Sequence, residues 1–329
     1  MSATKLELRT ALGPVYRDVL PHPPRDCTAE EIPIIDLAPM FSNDLADRKI
    51  VSDQIRAAAV NNGFFYVKNH GIAHATISTC KQQVLDFMRQ PQHLKDQVAT
   101  RVHSKYHNGY HGAKTTQISP SETADVRESF SFRYSPELDP DHPMPLSSVP
   151  EEVKPWIRGE EFVWDGTAHL PGFKRDCLAY WAACLQLSRR LVRMFALSLD
   201  LPEDYWDDKV TFPGADGVFN YYPPRTEHEI EGGFVGLGSH TDLQLFTLLW
   251  QDTVGGLQVL SKEGQWIKAP PIEDTIVVNI GDFLMRLCND MYKSTVHRVT
   301  NESAVERVSM PFFFGVFRAS FPPSILGLG

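Results

Sequence analysis

The chain is expected to fold as an α+β protein, with helices early and in the middle and a sandwich- or barrel-like β body after them. Three observations predict this. Residues 173–200, FKRDCLAYWAACLQLSRRLVRMFALSLD, repeat apolar positions at three- and four-residue steps, the period of an amphipathic helix, here with a basic outer face. Residues 210–320 break instead into short apolar runs separated by turn residues, the spacing of a sandwich or barrel. The composition, 42% hydrophobic and 22% charged over 329 residues, is that of a globular protein with a sizeable core.

Taken in order, residues 1–31 are mixed and Pro-rich (VLPHPPRD) and read as a partly irregular arm. IPIIDLAPM (32–40) is a short strand closed by a Pro break. Residues 46–62 suit a helix with Ile50, Ile55, Ala58 and Ala59 as apolar positions. GFFYVKNHGI (63–72) is a strand ending in a turn, and 73–98 is helical again. Residues 99–172 are loop-rich, with one strand, ESFSFRY (128–134), and a Pro-rich connector from Pro136 to Pro155. The long helix follows. Then come GVFNYY, LFTLLW, GLQVL, WIKAP, TIVVNIG, STVHRVT and RVSMPFFFGVF as strands, with SKEGQW a hairpin turn. The expected organisation is an N-terminal helical/β region (1–120), a connector with the support helix (121–209) and a β-rich region (210–329), integrated into one globular unit.

Bulk properties exclude several classes. A net charge of −9 disfavours nucleic acid as a partner. No apolar run of about 18 residues occurs, so no membrane span is expected, and the N-terminus lacks an apolar signal core. The five cysteines are widely spaced with no C-x-x-C, which predicts reduced thiols and a cytoplasmic protein. Oligomeric state is not legible.

The chemistry concentrates in the β-rich region. In GLGSHTDLQLFTLLWQD (236–252), His240 and Asp242 are two residues apart, so in a strand they share a face. Such a pair alone arises by chance in a chain with 12 histidines. His297, in STVHRV (294–299), supplies a second imidazole. Two imidazoles and one carboxylate suit a facial triad for non-haem Fe(II), leaving open positions for chemistry. In ERVSMPFFF (306–314), Arg307 and Ser309 again share a face; a buried Arg there calls for an anion, unless Glu302 or Glu306 pairs with it. In FNYYPP (219–224), Asn220 and Tyr222 share a face, and the Tyr hydroxyl can donate to the same anion.

With these motifs in order, the chain resembles the 2-oxoglutarate/Fe(II)-dependent dioxygenases of the isopenicillin N synthase-like superfamily. The resemblance runs from Ile32 to about Phe317. It takes in IPIIDL, GFFYVKNHGI, residues 170–206, the N-x-Y strand, the H-x-D pair, GGLQVL, VVNIGD, the distal His and the R-x-S pair. It implies a double-stranded β-helix, or jelly roll, with supporting helices. It implies Fe(II) on His240, Asp242 and His297, and 2-oxoglutarate on Arg307, Ser309 and Tyr222, with Asn220 at the matching position of the strand motif. It further implies that O2 and 2-oxoglutarate are consumed, that succinate and CO2 are released, and that a C–H bond of a small molecule is oxidised, by default to an alcohol. The positions facing the iron would include Val218, Leu237, Val299 and Phe313, with Phe130 and Phe132 from ESFSF. All are apolar, so a small apolar or aromatic metabolite is expected as substrate. The piece after MPFFFGVF is short for this family, which predicts a short closing lid.

Other arrangements carry less. His103, His107 and His111 would share a helix face, but Asn108 and Gly109 disfavour a helix there. GGFVGLG (232–238) lacks the G-x-G-x-x-G order, and Asp282 in NIGD reads as a turn residue. The alternatives are an oxidase of the same superfamily that does without 2-oxoglutarate, and a non-catalytic jelly-roll binding protein.

Overall fold

The computed structural model describes residues 3–10, 13–300 and 304–316. Fifteen strands form among them: β1 (Thr4–Thr10), β2 (Gly13–Val19), β3 (Arg25–Asp26), β4 (Ile34–Asp36), β5 (Phe64–Lys68), β6 (Gly109–His111), β7 (Glu128–Phe132), β8 (Gly214–Tyr222), β9 (Leu237–His240), β10 (Phe246–Gln251), β11 (Leu257–Leu260), β12 (Trp266–Lys268), β13 (Ile276–Ile280), β14 (His297–Val299) and β15 (Arg307–Gly315). Eight make one sheet, ordered β4-β5-β13-β10-β15-β8-β7-β6, and five make a smaller one, ordered β3-β12-β11-β14-β9. The architecture is α+β with a jelly-roll core.

Alternation along each strand decides what faces what. On β15, Val308, Met310, Phe312 and Phe314 join a hydrophobic core beneath the helices, while Arg307, Ser309, Pro311 and Phe313 face a cavity on the other side of the sheet. That core packs the large sheet against α1 (Leu45–Asn61), α2 (His74–Met88) and α3 (Phe173–Ser198). The apolar stripe of α3 buries Tyr180, Trp181, Leu185, Leu191 and Phe195. A second cluster, including Phe64, Tyr222, Leu257, Val259 and Val299, closes one end between the two sheets. The large sheet draws strands from all three sequence regions, β4 to β6 from the first, β7 from the second and the rest from the third.

The structure corrects four expectations. The N-terminal arm is a regular hairpin, β1–β2, registered from Thr4↔Val19 to Thr10↔Gly13. Its inward Leu6 and Leu8 cover Leu260, Trp266 and Val296, a period-2 signal already present in KLELR. The helix expected over 73–98 ends at Met88, because Pro91 forbids continuation; one-turn helices follow. His240 and LFTLLW do not belong to one strand. His240 ends β9 in the small sheet, and β10 begins at Phe246 in the large one. NIGD does not end in a plain turn: Asp282 opens the helix α4 (Asp282–Leu287). The C-terminal segment on which the short lid was expected lies outside the described residues.

Candidate active site

His240 and His297 meet because β9 and β14 are antiparallel neighbours with these two residues in register, next to a bulge. Their rings lie 4.3 Å apart between centroids. Asp242 joins them from the link between the sheets, its Oδ1 3.5 Å from His240 Nε2 and 3.8 Å from His297 Nε2. One donor atom from each of the three falls within 4.8 Å of the others, which no other group of three or more His, Cys, Asp or Glu achieves among the described residues.

The surroundings select the free atoms. His240 Nδ1 is 2.8 Å from the Gly238 carbonyl and His297 Nδ1 is 3.1 Å from that of Thr295. Each Nδ1–H donates to its carbonyl, so both Nε2 atoms are left free to bind a metal. Asp242 Oδ2 accepts from Thr247 Oγ1 at 2.6 Å and Asn279 Nδ2 at 2.7 Å, which leaves Oδ1 toward the imidazoles. Burial opposes charge on Asp242, but the His297 and His240 imidazoles and the Asn279 amide outweigh it and hold the carboxyl well below its usual range. Burial also disfavours the imidazolium of both histidines. For His240 the Asp242 carboxylate reverses this and raises the pKa. For His297, burial and then the His240 charge push it down to about 4. Two neutral-capable imidazoles and an ionised carboxylate are what a divalent metal needs.

The ligand loop is braced from behind. Gly281 N–H donates to Leu245 O and Asp282 N–H to Asp242 O, at 2.9 and 2.7 Å. Asp282 also accepts from Thr241 Oγ1 at 3.1 Å. A Cβ on Gly281 would stand 2.1 Å from the Gln244 carbonyl oxygen, so only glycine permits this approach.

The same cavity holds a second polar feature. Arg307 is fully buried, with Nη2 donating to Gln251 Oε1 at 3.2 Å and with Nε and Nη1 lacking any hydrogen-bond partner. Its guanidinium sits 4.6 Å from the ring centroid of Tyr222, whose buried hydroxyl is also unpartnered. Ser309 faces the same cavity, and Arg307↔Tyr222 and Ser309↔Asn220 are neighbours across β15 and β8. Glu306 does not neutralise Arg307; it pairs with Arg89 on the other face of the strand. An unpaired buried guanidinium costs several kcal/mol unless an anion joins it. A carboxylate placed among Arg307, Tyr222 and Ser309 would give the idle Arg307 and Tyr222 donors an acceptor, so the donor set fits 2-oxoglutarate. Asn220 faces the cavity, but its side-chain oxygen accepts from Arg127.

His240, Asp242, His297, Thr247, Asn279, Arg307, Ser309, Tyr222 and Asn220 line one cavity of about 890 Å³, which Val218, Leu237, Val299 and Phe313 also line. Phe130 and Phe132 do not. In the β7–β8 register Phe130 pairs with Phe219 while Ser129 and Ser131 pair with Asn220 and Val218, so the two phenylalanines point away, into the core with Phe87, Trp164 and Phe173. The cavity face of this stretch carries Arg127 and Arg133 instead, with Ser129 and Ser131 in a side pocket. The wall is therefore not uniformly apolar. His107 and His111 stack at 6.4 Å near it, on a loop residue with positive φ and on β6, while His103 lies against Phe162. Burial, then the Arg127 charge, pushes His111 down to about 4. Sequence reasoning missed Asn279 and Thr247. A polar residue inside the apolar run TIVVNIG was the available signal, since a buried amide needs a partner.

A jelly roll with a His-Asp-His cluster beside an orphaned buried Arg and Tyr defines a non-haem iron oxygenase. Comparison with known proteins agrees. The family model described as 2OG-Fe(II) oxygenase superfamily matches residues 216–316, and that described as non-haem dioxygenase in morphine synthesis N-terminal matches 32–153. A 2-oxoglutarate-Fe(II) type oxidoreductase of Metarhizium rileyi is 47% identical over 95% of this chain and 84% of its own. One from Emericella nidulans is 31% identical over 86% of this chain and 78% of its own. A full-length Neurospora crassa protein, crystallised in complex with alpha-KG and thymine, superposes with a TM-score of 0.70 at 29% identity, covering 87% of this chain and 86% of that one. The chain belongs to the 2-oxoglutarate/Fe(II) oxygenase superfamily. It is an oxidoreductase that uses Fe(II), 2-oxoglutarate and O2. No helix among the described residues is long and apolar enough to cross a membrane.

Proposed function

We propose that this enzyme hydroxylates a C–H bond of a small organic metabolite, with Fe(II) on His240, Asp242 and His297 and with the distal carboxylate of 2-oxoglutarate on Arg307, Tyr222 and Ser309. The observation that carries the reading is the pairing, in one cavity, of three metal-donor atoms left free by their own hydrogen bonds with two buried donors that lack partners. Bound iron and 2-oxoglutarate supply the oxidising power for C–H cleavage. The chain supplies position and environment. The Gly238 and Thr295 carbonyls fix the imidazole tautomers, and Thr247 and Asn279 hold the carboxylate in one orientation. Arg307, buried beneath Tyr222, fixes the direction of the co-substrate by a fork-to-carboxylate match. Val218, Leu237, Val299 and Phe313 offer apolar surface to the reacting end of the substrate and exclude water from it. Asn220 accepts from Arg127 through its side-chain oxygen, which leaves its amide N–H groups to donate to 2-oxoglutarate. The thymine bound in the Neurospora crassa relative supports a small molecule as substrate.

The test is anaerobic protein with Fe(II) and 2-oxoglutarate, then O2, with succinate measured and products screened for a gain of one oxygen atom. Succinate formation that requires both iron and 2-oxoglutarate is expected. Absence of succinate with every candidate substrate would favour an oxidase that does without the co-substrate.

A further inference from the structure

We propose that the substrate is an organic carboxylate whose anionic end lies against Arg127 and Arg133 while its apolar body lies toward the iron ligands. This deepens the oxygenase reading and rests on it.

The first observation is charge. With iron and 2-oxoglutarate bound, the metal dication, Asp242, the co-substrate dianion and Arg307 cancel one another. The cavity wall still carries Arg9, Arg127, Arg133 and Arg158 against Asp216. In a chain of net charge −9 this is a local reversal of sign. The second is shape. Strand alternation sends Arg127, Ser129, Ser131 and Arg133 to the same side of β7, where they wall a side pocket of about 120 Å³ that shares Arg127, Arg133 and Val218 with the main cavity. A carboxylate and a methylene or two fill such a space.

The third observation is unmet bonding. Arg127 donates from Nη1 to Asn220, yet its buried Nε has no hydrogen-bond partner. Arg133 lies 3.5 Å from Asp216, a distance beyond a charge-assisted hydrogen bond, and Asp216 takes a 2.9 Å bond from Gln244. Two partly buried guanidinium groups, one with an idle buried donor, are stabilised by a planar oxyanion. The apolar residues named above remain beside the metal ligands, so the geometry fits a molecule with one charged and one apolar end. The competing role for these arginines is to draw 2-oxoglutarate in electrostatically. That role would give no preference for an acid in an enzyme already loaded with co-substrate.

The experiment titrates the anaerobic Fe(II)–2-oxoglutarate enzyme calorimetrically with matched pairs: 3-phenylpropanoate and 3-phenylpropanamide, hexanoate and hexanamide, cyclohexanecarboxylate and its amide. At least one acid should bind tenfold or more tightly than its amide. That advantage should vanish in R127M and return in part in R127K. R127Q, which can still donate to Asn220, is a second variant should R127M fail to fold, and must also lose the preference. The proposal is overturned if every amide matches its acid, if no acid binds, or if the preference survives in R127M or R127Q. A wild-type protein that fails to bind 2-oxoglutarate would instead overturn the oxygenase reading.

Discussion

Replacing Asn279 by Leu should weaken the iron site without touching a metal ligand. Leu branches at the same carbon as Asn, so the substitution removes the amide while nearly keeping the shape. What is lost is the 2.7 Å bond to Asp242 Oδ2, one of two that hold this oxygen away from the imidazoles. A hydrogen bond to a buried charge contributes about 1.5–3 kcal/mol, and altered partners of metal ligands typically change metal affinity by roughly tenfold to a hundredfold. Anaerobic Fe(II) titration should therefore show affinity reduced about tenfold or more. Urea unfolding of the metal-free protein should show a loss of stability of the same sign, near the lower end of that energy range. Thr247→Val should behave likewise. The double variant should be non-additive, because both donors serve one oxygen. Wild-type iron affinity together with wild-type stability in Asn279→Leu would refute the view that Oδ2 anchoring orients Asp242.

Four further outcomes are expected. His240→Ala should abolish iron binding and succinate formation, and full activity in that variant would defeat the triad. Arg307→Met should raise the Kd for 2-oxoglutarate by roughly 30-fold or more while leaving the apo protein as stable or more so, since it removes an uncompensated buried cation; calorimetry and thermal unfolding separate the two effects. Iron binding near pH 6.5 should release protons from His240, whose pKa is raised above 6.5, but none from His297, already neutral with a pKa of about 4. Iron affinity then falls as pH drops through the His240 range, and calorimetry in buffers of different ionisation enthalpy counts the protons, a count of two refuting the assignment. Gly281→Ala should destabilise the protein by about 1–3 kcal/mol and impair iron binding as well, because its Cβ meets the Gln244 backbone oxygen at 2.1 Å beside the ligand loop.

Much of the candidate site was legible because strand chemistry is local. Arg307 and Ser309, like Asn220 and Tyr222, share a face by the two-residue period alone, and both pairs do line the cavity. Phe130 and Phe132, expected from the resemblance to face the iron, point away from the cavity. Both faces of β7 are buried, so hydrophobicity does not mark the cavity face; pairing with β8 does. The H-x-D pair shows a different failure. A shared strand face was the expected reason for its geometry, whereas the two residues sit at a crossing between sheets, held by Gly238 on one side and by Thr247 and Asn279 on the other.

From the sequence alone followed the α+β class, the long helix, the β-rich second half and the candidate metal and anion ligands that the structure gathers in one cavity. Each of these depends on residue type and on a period of 2 or 3.6, which neighbours in the chain carry. The tertiary structure alone decided that Arg307 and Tyr222 are buried with idle donors, and that Arg127 and Arg133 rather than two phenylalanines face the cavity. Those facts depend on strand register and on sheet facing sheet. Both are set by contacts between residues far apart in the chain, and no local pattern encodes them.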